Sequence, residues 1–283
     1  MFKRDYHYLI AGLPDLALEQ GVKQFDLEAF VREVHEHVSE KDDEYVRELF
    51  LPYDHLNIHN LLQKREDMFS SKGFFSLEFL KDHLDQPDEM PQYLIDIIRK
   101  FRLGHELGDR SDEYHNMAHY TWTRFYQEIE EKSTNQFIRS WFRFDQILRN
   151  IQSAWMCRKL GMSMQEQLVG WGEDIEFFVK NNLPDFGLRR ELTLGEQIFN
   201  LLDEHIDIHE REFRFDEIRW QMADELTTFH YFDIDKVLAF LAKADILDRW
   251  LKLDKERGTV LFDGFVKNLV GHASANSAIE VKN

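Results

Sequence analysis

Three His-x-x-x-His pairs are the residues whose type and spacing could carry chemistry: His55/His59, His115/His119 and His205/His209. On a helix, positions four apart share one face, so each pair would stack two imidazoles as zinc enzymes do. The metalloprotease form also needs a Glu directly after the first His, and Leu56, Asn116 and Ile206 stand there, which excludes that mechanism for these pairs. A carboxylate-bridged di-iron bundle needs paired Glu-x-x-His motifs, and the nearest match is Asp112-x-x-His115. With 13 His in the chain, such pairs arise readily by chance, and the histidines are read as structural or surface residues. Cys157, between Met156 and Arg158, is read as a small apolar filler on a helix rather than a nucleophile. Neither a Gly-x-x-x-x-Gly-Lys-Ser/Thr phosphate cradle, a Gly-x-Gly-x-x-Gly turn nor a Gly-x-Ser-x-Gly elbow occurs. No catalytic, cofactor-binding or metal residue is assigned, and no cofactor is expected.

The elements that would position these side chains are helices. Of 283 residues, 43% are hydrophobic and 14% aromatic, ample for a buried core, while 13 Gly and 5 Pro leave little turn chemistry for a many-stranded sheet. The expected class is all-α, as a single helical domain over 1–283. An excess of 53 acidic over 35 basic side chains gives a formal charge of −18, which works against a nucleic-acid partner and against direct adsorption to an anionic bilayer. Any membrane location would then come only through protein partners. A single cysteine fits a reducing compartment, and residues 8–13 are too short an apolar stretch for a signal peptide, so a cytoplasmic location is expected.

One stretch recurs. Tyr53-Asp54-His55-Leu56-Asn57-Ile58, continuing to Leu61, Leu62 and Lys64, aligns without a gap with Phe232-Asp233-Ile234-Asp235-Lys236-Val237, continuing to Phe240, Leu241 and Lys243. A middle copy, Phe144-Asp145 followed by Asn150-Ile151, Ala154-Trp155 and Arg158-Lys159, needs two extra residues after its Asp. The aspartates lie 91 (145 − 54) and 88 (233 − 145) residues apart. Such spacing predicts three pseudo-repeated helical units, over 1–105, 106–190 and 191–283. Each Asp is read as the N-cap of a helix whose apolar residues follow three and four apart.

Between the copies, Asp26 should cap a helix through Val38, a further helix should cover 43–50, and Ser76 to Leu84 should be helical. Two long helices, 112–131 and 135–159, should form a hairpin. Ser163-x-x-Glu166 and Thr193-x-x-Glu196 fit the capping box and should each start a helix. Asn181 to Gly187 is read as a linker between lobes, Gly271 to Asn283 as frayed. The aromatic groups Trp141-Phe142-x-Phe144 and Phe229-His230-Tyr231-Phe232 are read as core, with a protein-binding surface as the other role open to them.

The opening Tyr6-x-Tyr8-Leu9-Ile10-Ala11-Gly12-Leu13-Pro14-Asp15-Leu16, the Tyr53-Asp54-x-x-Asn57-Ile58-x-x-Leu61-Leu62-x-Lys64 element and the overall length resemble a bacterial family of unassigned function whose genes sit among those of V-type ATP synthase subunits. The threefold element is also similar to the C-type subunit of V/A-type ATPases, the counterpart of the eukaryotic d-type subunit, an all-helical funnel of three similar units. That resemblance implies a non-catalytic coupling role, peripheral on the cytoplasmic face of the membrane. The partners would be the membrane rotor ring and the central-stalk subunits, between which torque passes during proton or sodium transport. Two other classes stay open: a helical scaffold for unrelated partners, and a helical metalloenzyme using the histidine pairs.

Overall fold

The computed structural model describes residues 6–18, 26–88, 90–106 and 113–253, all helix, turn and loop. The helices are α1 (His7–Ala11), α2 (Leu27–His37), α3 (Glu40–Leu62), α4 (Leu77–His83), α5 (Gln92–Glu106), α6 (Glu113–Lys132), α7 (Gln136–Leu160), α8 (Glu173–Lys180), α9 (Gly195–Asp203), α10 (Ile208–Leu226) and α11, described over 234–253. The all-α expectation holds. None of the described helices is long and apolar enough to cross a membrane.

Side chains that accept from the first turn set most helix starts: Asp26 from the Ala29 N–H, Ser39 from Asp42, Ser76 from Phe79, Asn135 from Ile138, and Asp207 from His209 and Glu210. Gly161, at φ 66°, ends α7. Two expected starts fail. Ser163 precedes only a 3-10 turn, Met164–Glu166, and makes no cap, while α9 begins at Gly195 after Leu194 rather than at Thr193. There the close approach of the chain decides, because a Cβ on Gly195 would stand 2.6 Å from the Leu188 carbonyl oxygen and 2.7 Å from that of Arg189.

The expected break near Phe50 is also absent, since α3 runs through Pro52. Proline inside a helix costs about 3 kcal/mol, and here the buried Leu49, Phe50, Leu51, Ile58 and Leu61 on both sides of it hold the helix continuous. Asp54 and Asp145 therefore lie inside α3 and α7, not at helix starts, and only Asp233 immediately precedes its helix. Asn181 to Gly187 is no loose linker. Phe186 is fully buried against Phe178, and Arg158 donates to the carbonyls of Asn181, Leu183 and Pro184. The expected frayed end, 271–283, lies outside the described residues.

What does repeat is a lock between helix and loop. After α3 the chain makes a 3-10 turn, Glu66–Met68, and folds back so that the Asn57 side chain both donates to the Ser70 carbonyl (2.8 Å) and accepts from the Ser70 N–H (2.8 Å). After α7 it makes the turn Met164–Glu166, and Asn150 donates to the Val169 carbonyl (2.8 Å) and accepts from the Val169 N–H (2.9 Å). A glycine follows in both loops. A Cβ on Gly73 would lie 2.5 Å from Asp54 Oδ1, and one on Gly170 2.7 Å from Gln146 Nε2. A short helix, α4 or α8, comes next in each case.

Replacing either asparagine by alanine strands a backbone donor and acceptor, each costing about 1–3 kcal/mol when buried. Asn150→Ala should lower unfolding free energy by about 2–4 kcal/mol in urea denaturation, and Asn57→Ala by less, because the Ser70 pair is only partly buried. Losses under about 0.5 kcal/mol at both positions would show that the loops are held by something else.

Candidate functional site

Two features of the chain concentrate polar or reactive groups: the place where the three long helices meet, and the turn that leads into α11. The first is built by α3, α7 and α11, with α10 lying against both α7 and α11. Phe30 of α2 packs on Phe240 of α11, and Tyr53 of α3 donates to Asp245 of α11 (2.8 Å). Lys72, on the loop that Asn57 locks, reaches the same helix and bonds Asp245 (2.6 Å) and Asp248 (2.7 Å). Asp145 of α7 accepts from Tyr126 (2.7 Å) and pairs with Arg219 of α10 (3.4 Å) and Arg149 (3.8 Å). Asp216 of α10, fully buried, is held by Arg219 (3.0 Å), the Trp250 indole N–H (2.7 Å) and Arg249. These groups form one neighbourhood, since Tyr53 and Asp145 both bear electrostatically on Arg249.

The electrostatics follow from who faces whom. Burial alone would lower Lys72, but Asp245, the Tyr53 oxygen and Asp248 together outweigh that and hold the ammonium above the ordinary lysine range. Burial alone would raise Asp145, and the Arg149 and Arg219 guanidiniums outweigh it and hold the carboxyl low. Among the described residues no cation pairs with Asp54. Burial pushes it up to about 6, and the N–H groups of Phe75 and Phe74, each 3.0 Å away, restrain the rise.

The three aspartates of the repeat thus have unrelated surroundings: two backbone amides for Asp54, arginines and a tyrosine for Asp145, and His230 for Asp233. Their expected common role as caps is corrected. The asparagine match between the first two copies is retained, and in α11 the residue at the matching depth is Asp248. It stands 15 residues beyond Asp233 (248 − 233), as Asn150 stands 15 beyond Asn135 (150 − 135). Lys236, aligned to Asn57 by sequence, lies on the first turn of α11 instead.

The histidine pairs separate. His55 is enclosed by Trp122, Tyr93 and Phe125, and neither ring nitrogen has a hydrogen-bond partner. His59 Nε2 lies 2.7 Å from Thr121 Oγ1, and His119 Nε2 bonds the Leu168 carbonyl. His205 and His209 are exposed, and the side chain of His115 lies outside the described residues. Cys157 is buried, as expected of a filler, and burial pushes its thiol up.

Among the described residues the grouping of three possible ligands is His230, Asp233 and Asp235, which sequence reading passed over; the His-x-x-Asp-x-Asp spacing was its signal. His230 Nδ1 lies 2.7 Å from Asp233 and 3.2 Å from Asp235, and Asn135 donates to the second oxygen of Asp235 (2.6 Å). Donor atoms around a tetrahedral zinc stand about 3.3 Å apart, and carboxylates at a helix N-terminus are already favoured by its dipole. The trio is an imidazole clamp between two carboxylates, tying the turn to α11 and to the start of α7. The aromatic group within that turn departs from expectation. Trp141, Phe142 and Phe144 are core, but Phe229, Tyr231 and Phe232 face solvent.

Residues 3–273 match the family described as Protein of unknown function (DUF2764). No curated protein matches the chain, and no solved structure does.

Two measurements test these electrostatics. His55 is held well below the ordinary 6.5 by burial, then by His59 and Arg149, and His59 is lowered mainly by burial. The unfolded chain therefore takes up protons below pH 6.5 that the fold refuses, and stability present above that value is lost as pH falls. Asp54 acts oppositely: with its folded value near 6 against an ordinary 3.8, its contribution is present in acid and lost as pH rises through 6. Glu48, also raised by burial, acts as Asp54 does, so the histidine contribution is read by difference: on acidification from about pH 6.5 to about pH 5, His55→Leu should lose less melting temperature than the wild type. An unchanged slope in the variant would refute the assignment. Separately, Lys72→Met leaves partly exposed Asp245 without its cation and Asp248 with Lys252 alone (2.9 Å), and should cost about 2–4 kcal/mol in urea denaturation. A cost below about 1 kcal/mol would mean that the Lys72 contact does not hold α3 and α11 together.

Proposed function

We propose, from the premise that the chain belongs to the DUF2764 family, that it is a non-catalytic adaptor of a V/A-type ATP synthase or ATPase. It would couple the membrane rotor ring to the central shaft during proton or sodium transport, held at the cytoplasmic face by protein partners alone. The observation that carries this reading is the repeated lock, Asn57 on Ser70 and Asn150 on Val169, each between a long helix, a 3-10 turn and a short helix. The resemblance to the V/A-type coupling funnel rests on an element repeated three times, and the lock recurs in two of its copies.

Mechanical demands point the same way. Torque transmission needs a body that does not shear; Lys72 ties the loop after α3 to α11, Arg219 ties α10 to α7, and Arg249 ties α11 to α10, in bonds at least partly buried and so less weakened by salt than exposed pairs. The formal charge of −18 favours basic protein partners over lipid or nucleic acid. A scaffold for unrelated partners shares the helical body but predicts a different company.

Affinity purification of the chain from gently solubilised native membranes tests the reading. Rotor-ring and central-stalk subunits should be retained with it. Their repeated absence while the complex is otherwise intact would refute the coupling role and favour the scaffold.

A further inference from the structure

The turn 229–232 and the neighbouring α1 expose four aromatic rings together: Tyr8 is 89% exposed, Phe229 85%, Tyr231 65% and Phe232 47%. Single exposed apolar side chains are ordinary, but four in one place mark a surface that another molecule covers. Rings of this size bury about 150–250 Å² each when fully enclosed, so the cluster supplies on the order of 500 Å² of the roughly 800 Å² per partner in a standard protein interface.

The turn that carries the cluster is held in place at its backbone, at His230 and at the Phe232 ring. The Tyr6 N–H donates to the Phe232 carbonyl, and the His7 ring lies 4.1 Å from that of Phe232. The His230 N–H donates to the Thr227 carbonyl (3.0 Å), and the His230 side chain is clamped by Asp233 and Asp235. Asp235 is fastened in turn to Asn135 at the head of α7. A fixed backbone and the two side-chain torsions of an aromatic residue leave little conformational entropy to lose on docking, which is why such residues dominate binding energy where they occur.

We infer that the Phe229-Tyr231-Phe232 turn with Tyr8 is a docking surface for a protein partner presenting an apolar pocket rimmed by lysine or arginine. Charge selects this occupant. A chain of formal charge −18 is repelled by an anionic bilayer and by its own copy, whereas a basic rim is attracted to it and to the exposed Glu225 beside the turn. The inference rests on the adaptor reading, in which the partner belongs to the rotor or stalk.

The test uses the full-length chain and the variant Phe229→Ser/Tyr231→Ser in the membrane purification above. Both side chains are exposed, so the variant should melt at the wild-type temperature; Phe229→Tyr, which keeps the ring, serves as the conservative control. Expected are a loss of at least about tenfold in retained rotor or stalk subunits for the double variant, near-wild-type retention for Phe229→Tyr, and weaker wild-type retention as salt is raised. Equal retention by wild type and double variant overturns the docking surface and leaves the adaptor reading intact. No retention by the wild type refutes the adaptor reading, and the docking inference falls with it. Binding of the wild type to vesicles of phosphatidylcholine, with or without phosphatidylserine, that the double variant loses would make the occupant a bilayer and overturn the inference. So would a concentration-dependent dimer in sedimentation that the double variant abolishes.

Discussion

A charge taken out of water costs several kcal/mol unless it meets an opposite charge and fills its remaining hydrogen-bond positions. That constraint governs the meeting of α3, α7 and α11. Lys72 cannot be buried unless Asp245 and Asp248 face it, Asp145 cannot be buried unless Arg149 and Arg219 do, and Asp216 needs Arg219, Arg249 and the Trp250 indole together. Partners on different helices and loops mean that a relative slide of one helical turn would leave uncompensated charges on both sides. Apolar packing favours contact in many registers, and the buried charges single out one.

The same logic acts on a smaller scale in the loops. A segment that folds back against a helix must satisfy its own backbone groups, and Asn57 and Asn150 do this with one amide each, matching a donor and an acceptor of a single residue. Asparagine is suited to the task because its side chain carries both functions in one plane. The glycines follow from the closeness this produces, since Asp54 and Gln146 occupy the volumes where side chains at 73 and 170 would begin. Gly170 has a second reason, a φ of 129° that residues with a Cβ seldom adopt.

Polar groups and aromatic groups have in places exchanged their customary positions. His55 lies enclosed among rings, while Phe229 and Tyr231 stand in solvent. The first arrangement is tolerable because neutral imidazole stacks edge-on against Trp122 and is flanked by Phe125 much as another aromatic ring would be. The second carries a free-energy cost in the isolated chain that contact with a partner would relieve.

Local spacing determined much of this protein. The helical class, the cap at Asp26, the helices opening at Ser76 and Asn135, the α6/α7 hairpin, and the burial of Trp141, Phe142, Phe144 and Cys157 were legible because each depends on residues within a few turns of one another. The likeness between the stretches around Asn57 and Asn150 was legible too, but the aspartates in them were misread: an aspartate followed by an apolar stripe looks like a cap whether it starts a helix or lies within one. Whether Asp54 would cap its own helix or a loop 20 residues on, and whether Ser163 and Thr193 would cap anything, was decided by which distant backbone groups arrived unpaired beside them. The same holds for the partners of Lys72, the isolation of His55 and the exposure of Phe229. Composition and periodicity fix which side chains prefer to leave water, whereas only the assembled helices fix which of them can do so with their charges and hydrogen bonds satisfied.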